Sequence, residues 1–232
     1  LIDSNEIYAT QDPLYPQEIG ICISNAGSGT RVIRNIIYGH AGFGIEAVNC
    51  SPDIMKNVLY DNAEGVVALA QWGGTAAPAI WNNLIYDHPA ATDAAMQVGI
   101  MLEIENDGVL NPTIYHNTID GASGGGIVID VDGDVVSGQP RIEFNIISNY
   151  GLFGIVSTDA SGFSDPWVMR NNIYSGVDGS DYYLNFAAVP TGDIHEDPLY
   201  MDALSGNYWL QGEPIPSLCI DFSADATVPP VF

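Results

Sequence analysis

Seven asparagines recur in one fixed frame: Asn5, Asn35, Asn57, Asn83, Asn117, Asn145 and Asn171, spaced 22 to 34 residues apart. Three residues before each stands an aliphatic (Ile2, Val32, Ile54, Ile80, Ile114, Ile142, Val168), and two residues after each stands another (Ile7, Ile37, Leu59, Ile85, Ile119, Ile147, Ile173). Five times a proline lies five residues ahead of the asparagine, at Pro52, Pro78, Pro112, Pro140 and Pro166. Six of the units continue into a glycine followed by Ile or Val, from Gly20-Ile21 to Gly154-Ile155. Self-similarity at such a period means a solenoid, because one unit of this length cannot bury its own apolar face.

The runs between these markers are too short and too alternating for helices. Proline cannot donate to a strand ladder, so the frame places it at the first residue of a strand. The asparagine falls at a corner, where its tolerance of left-handed backbone is expected to be used. If units stack, the amides bond up and down the pile and the aliphatics merge into one core. Strands about 4.8 Å apart give a rod roughly 30 Å long from seven coils. Propeller blades need about 40 residues and four strands each, which the shortest unit cannot supply. The expected fold is all-β: a right-handed parallel β-helix of about seven coils over residues 1–178, with 179–232 a closing or capping segment of the same domain.

Segments such as Pro112-Thr-Ile-Tyr-His-Asn-Thr-Ile119 and Pro140-Arg-Ile-Glu-Phe-Asn-Ile-Ile147, each followed by Gly-Ile, resemble the repeat of the pectin-lyase-like parallel β-helix superfamily. The later run of Asp197-Pro-Leu-Tyr200, Gly206-Asn-Tyr-Trp-Leu210 and Cys219-Ile-Asp221 resembles the closing segment of secreted bacterial and archaeal β-helix repeat proteins. The resemblance implies the fold. It does not imply one activity, since the superfamily hosts lyases, hydrolases, epimerases, adhesins and surface proteins. The Gly-Asp-Asp, Gly-His-Gly and Arg-x-Lys of polygalacturonase-like relatives are missing, and Asn117-Thr-Ile-Asp120 reads as an ordinary repeat corner.

The chain carries 29 acidic against 5 basic residues, a net charge of −24. Nucleic acid and anionic membrane surfaces need clustered Lys or Arg, so neither is an expected partner. Anionic polysaccharide is disfavoured unless Ca²⁺ bridges the two. Such a surface suits a saline or Ca²⁺-rich exterior, and it also keeps a β-rod soluble and blunts its edges. Cys22, Cys50 and Cys219 form no disulfide framework; in the repeat frame Cys22 and Cys50 sit about 13 Å out of register. There is no membrane-spanning run. The chain opens at Leu1-Ile2 inside the first repeat. An uncapped coil there is expected either to follow a longer upstream segment or to self-associate with a neighbouring chain. The expected location is extracellular or at a cell surface.

Alignment on the glycines brings out one acidic column. Ile100-Met-Leu-Glu-Ile-Glu-Asn-Asp107 and Ile127-Val-Ile-Asp-Val-Asp-Gly-Asp134 alternate so that Glu103 and Glu105 face outward beside Asp130 and Asp132. Four carboxylates then lie within about 5–7 Å of one another. Three readings stand: a Ca²⁺ site using Asp130, Asp132, Asp134, Glu105 and Asp107; a glycoside hydrolase or lyase site using Glu103, Glu105, Asp130 and Asp132; or a solvated acidic face. Like charges side by side call for a cation, a raised pKa or solvent.

Aromatic columns form the other candidate surface. Tyr8, Tyr38, Tyr60 and Tyr86 stand three residues after consecutive ladder asparagines, and Trp81 pairs with Tyr115 two residues before theirs. Such columns are sugar platforms or ordinary cross-strand stabilisers. Arg34, Lys56, His116 and Arg170 share the position before the asparagine and are expected along one edge of the rod, paired with surplus acids. His40 and His88 share a column and read as surface residues. The sequence therefore leads to an acidic surface or matrix module that binds polysaccharide or cell-surface glycan, or assembles with neighbours. A polysaccharide-cleaving enzyme and a purely structural rod are the alternatives.

Overall fold

A computed structural model describes residues 1–9, 17–86, 97–132, 137–158, 167–174, 180–184, 192–212 and 217–219. The aliphatics of the repeat dictate its sheets. The residues three before each asparagine are the central residues of Ile2–Asp3, Arg31–Ile33, Asp53–Met55, Ala79–Trp81, Thr113–Tyr115, Arg141–Glu143 and Trp167–Met169, which pair in parallel as a first seven-stranded sheet. Those two after it centre a second, Glu6–Tyr8, Ile36–Tyr38, Val58–Tyr60, Leu84–Tyr86, Thr118–Asp120, Ile146–Ser148 and Asn172–Tyr174. A third runs through Ile19–Ser24, Phe43–Val48, Glu64–Gln71, Val98–Glu105, Gly125–Asp132, Phe153–Ser157 and Ser180–Leu184. Every pairing in these three sheets joins strands of neighbouring coils, so the fold is the expected parallel β-helix, in the right-handed sense that parallel crossovers take.

The central position of each strand in the first two sheets turns inward, and alternate positions of the longer third-sheet strands do the same; rows such as Ile54, Ile80, Ile114 and Ile142 are sealed from solvent. These rows merge into a single core along the rod. The Pro residues precede their strands by one position: Pro52 sits before Asp53, Pro78 before Ala79 and Pro112 before Thr113. Each still contributes its carbonyl to the ladder, accepting from Ala79 N, Thr113 N and Arg141 N respectively. Pro166 lies outside the described residues. The glycine before each Ile or Val of the third sheet is required by close approach. A Cβ on Gly126 would stand 2.3 Å from Ile147 Cγ2 and 2.7 Å from the carbonyl oxygen of Gly154.

The left-handed residue at the first corner is one position earlier than expected. Ser4, Arg34, Lys56, Asn82, His116, Phe144 and Arg170 have φ between 52° and 57°, and no ladder asparagine has positive φ. The reason lies in the backbone. One left-handed residue turns the chain sharply between two strands and tips the next N–H inward, where no carbonyl meets it. The asparagine solves this. Asn35 N donates to Asn57 Oδ1 at 2.9 Å, and Asn35 Nδ2 donates to the same oxygen at 3.0 Å and to Ile2 O at 3.1 Å. The same set recurs through Asn145 Nδ2 to Asn171 Oδ1 at 3.0 Å. Beyond it Asn171 N donates to Asp193 Oδ1 at 2.6 Å, so Asp193 supplies a further acceptor at the end of the ladder.

His40 is buried, at 4% exposure, and is a correction to its expected surface position. The second corner turns its column inward, and Asn62, Ala122 and Tyr150 occupy the same column in full burial. His40 N donates to Asn62 Oδ1 at 3.1 Å, a single rung like those of the asparagine ladder. His88 lies outside the described residues. Ser180–Leu184, within the stretch assigned to the closing segment, is the seventh strand of the third sheet. The described closing part is an antiparallel hairpin of Tyr200–Asp202 and Asn207–Leu210.

Candidate functional site

The closing hairpin lies along the outer face of the second sheet, where a column changes character. That column reads Tyr8, Tyr38, Tyr60, Tyr86, then Asp120 and Ser148. The four tyrosines stack at 5.6, 4.8 and 5.3 Å, and Tyr208 of the hairpin takes the next place, 5.0 Å from Tyr86. The faces of Tyr38, Tyr60 and Tyr86 are thus taken up by neighbouring rings, which leaves their edges and hydroxyls outward. Below them Asp120 accepts from Ser148 Oγ at 2.6 Å, Asn149 Nδ2 at 2.7 Å and Tyr208 OH at 3.2 Å. Tyr200 OH lies 3.0 Å from Ser148 Oγ. Burial pushes the Tyr200 phenol well above its ordinary pKa, so its hydroxyl stays a neutral hydrogen-bonding group. The change from Tyr to Asp and Ser in the fifth and sixth coils is the signal in the sequence for this docking.

Trp81 and Tyr115 are in register on the first sheet and stack at 5.7 Å with planes 5° apart. From them an aromatic path leads round the first corner: Tyr115 meets His116 edge-on at 5.5 Å, His116 stacks on Phe144 at 5.4 Å, and Arg170 lies over Phe144 at 5.7 Å. All are half-buried. The left-handed corner column faces the hairpin across a cleft. Asn82, His116, Thr118, Phe144, Arg170 and Asn172 line one end of it, and Tyr208 and Trp209 close the other. Burial lowers the His116 imidazole below its ordinary value, with Glu143 partly opposing, so the ring is neutral at pH 7. Of the corner residues expected to pair with surplus acids, Arg34 pairs with Asp3; off that column, Arg31 pairs with Asp53 at 3.2 Å and Arg141 with Glu143 at 2.7 Å.

The third sheet carries the acidic face. Glu103 is in register with Asp130 and Glu105 with Asp132, and Glu103, Glu105 and Asp130 alternate with the inward row of Ile100, Leu102 and Ile104. Asp130 Oδ1 accepts from Thr158 Oγ1 at 2.6 Å. Asp107 is exposed at the strand end with φ of 64°. Asp134 and the side chain of Asp132 lie outside the described residues. Among the described residues no three His, Cys, Asp or Glu side chains come together as a metal group. One acid absent from the sequence reading joins this face. Glu64 is in register with Phe43 and Val98, beside the apolar cluster of Val98, Val128 and Val156. Burial pushes its carboxyl up to about 7, and the charge of Glu103 adds to the shift. Its position one residue before Gly65, on the outer side of the frame, gave no sign of burial. Trp72 stands beyond Gln71 at the strand end, 73% exposed with φ of 55°.

Among the described residues no helix is long and apolar enough to cross a membrane. Comparison with curated proteins and with solved structures returns no match. One family profile does match, described as disaggregatase related, over residues 50–215. That span takes in the repeat from the third coil to the closing hairpin, including the cleft and the acidic face. The match covers well over half the chain, and the protein belongs to the disaggregatase-related family.

Proposed function

We propose that this disaggregatase-related β-helix is an extracellular surface or matrix module that binds an extended glycan. One observation carries the reading: the aromatic path from Trp81 and Tyr115 through His116 and Phe144 to Arg170 crosses four coils and enters a cleft whose opposite end the exposed Trp209 closes. A small molecule needs one pocket, whereas a path that follows the rod suits a chain of repeating units. Flat rings with polar tips meet both the C–H faces and the hydroxyls of sugars. Kinship with a disaggregatase fits work on or within an aggregating matrix. In this reading Ca²⁺ screens the acidic face, and Glu105, Asp107, Asp130, Asp132 and Asp134 supply its oxygen ligands.

A second reading has its own support. Glu64, raised to about 7, beside Glu103, whose charge contributes to that shift, gives two carboxylates in unlike environments, the division of labour that glycan cleavage uses. One experiment addresses both. Calorimetry against neutral and acidic polysaccharides, with Ca²⁺ and with a chelator, should show binding that weakens about tenfold in a Trp81→Ala, Tyr115→Ala double variant. Silence across the panel sinks the binding role. The same mixtures are assayed for new reducing or unsaturated ends. Cleavage that survives Glu103→Gln removes the acidic face as its site.

A further inference from the structure

The cleft under the closing hairpin consists of two adjoining cavities of about 210 and 350 Å³, and Asn82, His116 and Thr118 line both. Phe144 and Arg170 wall the first, and Tyr208 and Trp209 the second. In a chain with 29 acids, no Asp or Glu is among the described residues lining either one. The lining is amide, hydroxyl, imidazole and ring, with the Arg170 guanidinium and Cys219 in the first cavity. Two features are not explained by folding alone. His116 Nε2, in the wall of both cavities, is shut off from water and has no hydrogen-bond partner, an unmet polar group of the kind folded proteins rarely keep. Trp209 is 78% exposed at the mouth, while its neighbour Tyr208 is packed against Tyr86 and bonded to Asp120.

A ring that offers an apolar face and a rim of hydroxyls matches both features at once. Resting on the glycan-binding role above, we infer that this cleft seats consecutive pyranose rings of the bound chain, one beside Phe144 and the next against Trp209. The Asn82 amide and the Thr118 hydroxyl engage the sugar hydroxyls where the two cavities meet, and a turn of the His116 ring brings Nε2 out of its closed position to the same hydroxyls. The placement also gives the hairpin a use. Tyr208 and Tyr200 fix it to the second sheet through Asp120 and Ser148, and this holds Trp209 over the corner column. The unpaired imidazole nitrogen acquires a partner only when the cleft is filled.

Calorimetric titration of the protein with cellohexaose, chitohexaose and an oligogalacturonate tests this. The variants are Trp209→Ala, Thr118→Val and His116→Asn. The last keeps the corner intact, because Asn82 already holds the same column position with φ of 52°. Trp72→Ala, an exposed tryptophan on the third sheet's side, is the control. At least one probe should bind the parent, lose about tenfold or more in Trp209→Ala and about fivefold in each of the other two, and keep its affinity in Trp72→Ala. A probe that binds the parent and all three cleft variants within about twofold overturns the cleft and leaves the glycan-binding role standing. If no probe binds the parent, both fall.

Discussion

A single asparagine at each corner answers a backbone problem that stacking creates. A non-glycine residue in the left-handed region costs about 1–2 kcal/mol, and the first corner holds seven of them, from Ser4 to Arg170. Each corner regains this through the amide that follows, since a satisfied buried hydrogen bond contributes about 0.5–1.5 kcal/mol. Asn117 shows the full set. Its Oδ1 accepts from Asn83 N at 3.1 Å and Asn83 Nδ2 at 3.0 Å, and its Nδ2 donates to Ile80 O at 2.9 Å and Asn145 Oδ1 at 3.0 Å. Asn117→Ala takes the acceptor from Asn83 N and a donor from Ile80 O, while Asn145 Oδ1 keeps the backbone N–H of residue 117 and Asn83 Nδ2 keeps Ile54 O, so urea unfolding should show a loss of roughly 2–4 kcal/mol. A change under about 1 kcal/mol would mean that the ladder is an accompaniment to the fold rather than a support for it.

At the scale of the strand, the coil's cross-section is limited by the glycine column. Gly65, Gly99 and Gly126 each face a second-sheet isoleucine Cγ2 at 2.3–2.7 Å from an added Cβ, with a neighbouring glycine carbonyl at the other side. Backbone cannot give way there as a side-chain tip can. Gly126→Ala should lower the melting temperature, at a cost of about 1–3 kcal/mol, by prising the third sheet from the second. Gly27→Ala meets nothing within 4 Å and should stay within about 0.5 kcal/mol of the parent. Equal melting temperatures for the two variants would show that the coils breathe enough to admit a methyl.

Across the whole molecule, charge and burial act together. A net charge of −24 spreads over the outside of the rod, yet Glu64 is drawn partly into an apolar cluster and titrates near 7 instead of near 4.5. The native state holds that proton over a range where the unfolded chain has released it. Stability is therefore greatest below about 4.5 for this group and falls as pH rises through about 7, by roughly 3–4 kcal/mol at about 1.4 kcal/mol per pKa unit. His40 and His116, whose pKa values burial lowers, act in the opposite window and remove stability as pH falls below about 6.5. Glu64→Gln should flatten the decline between pH 5 and 8 and raise the melting temperature at pH 8. A parallel pH profile for parent and variant would place Glu64 in water after all.

The period, the inward rows and the pairing of coils could be read from the chain, because a solenoid repeats one local rule and each rule leaves its residues at fixed spacing. Hence the register of Glu103 with Asp130 and of Trp81 with Tyr115 followed from counting alone. Counting fails where a residue's surroundings come from elsewhere in the chain. The left-handed residue proved to be the one before each asparagine, since sharp bending and hydrogen bonding fall to different residues. His40 turned inward because the second corner turns its column inward, and Glu64 was buried by an apolar cluster spread over other coils. The cleft beside His116 exists only because Tyr200 and Tyr208 find Ser148 and Asp120 some 50 to 90 residues earlier in the chain. The sequence determined the rod, by repetition; the tertiary structure alone decided which of its faces acquired a wall, because that wall is built by the one segment that does not repeat.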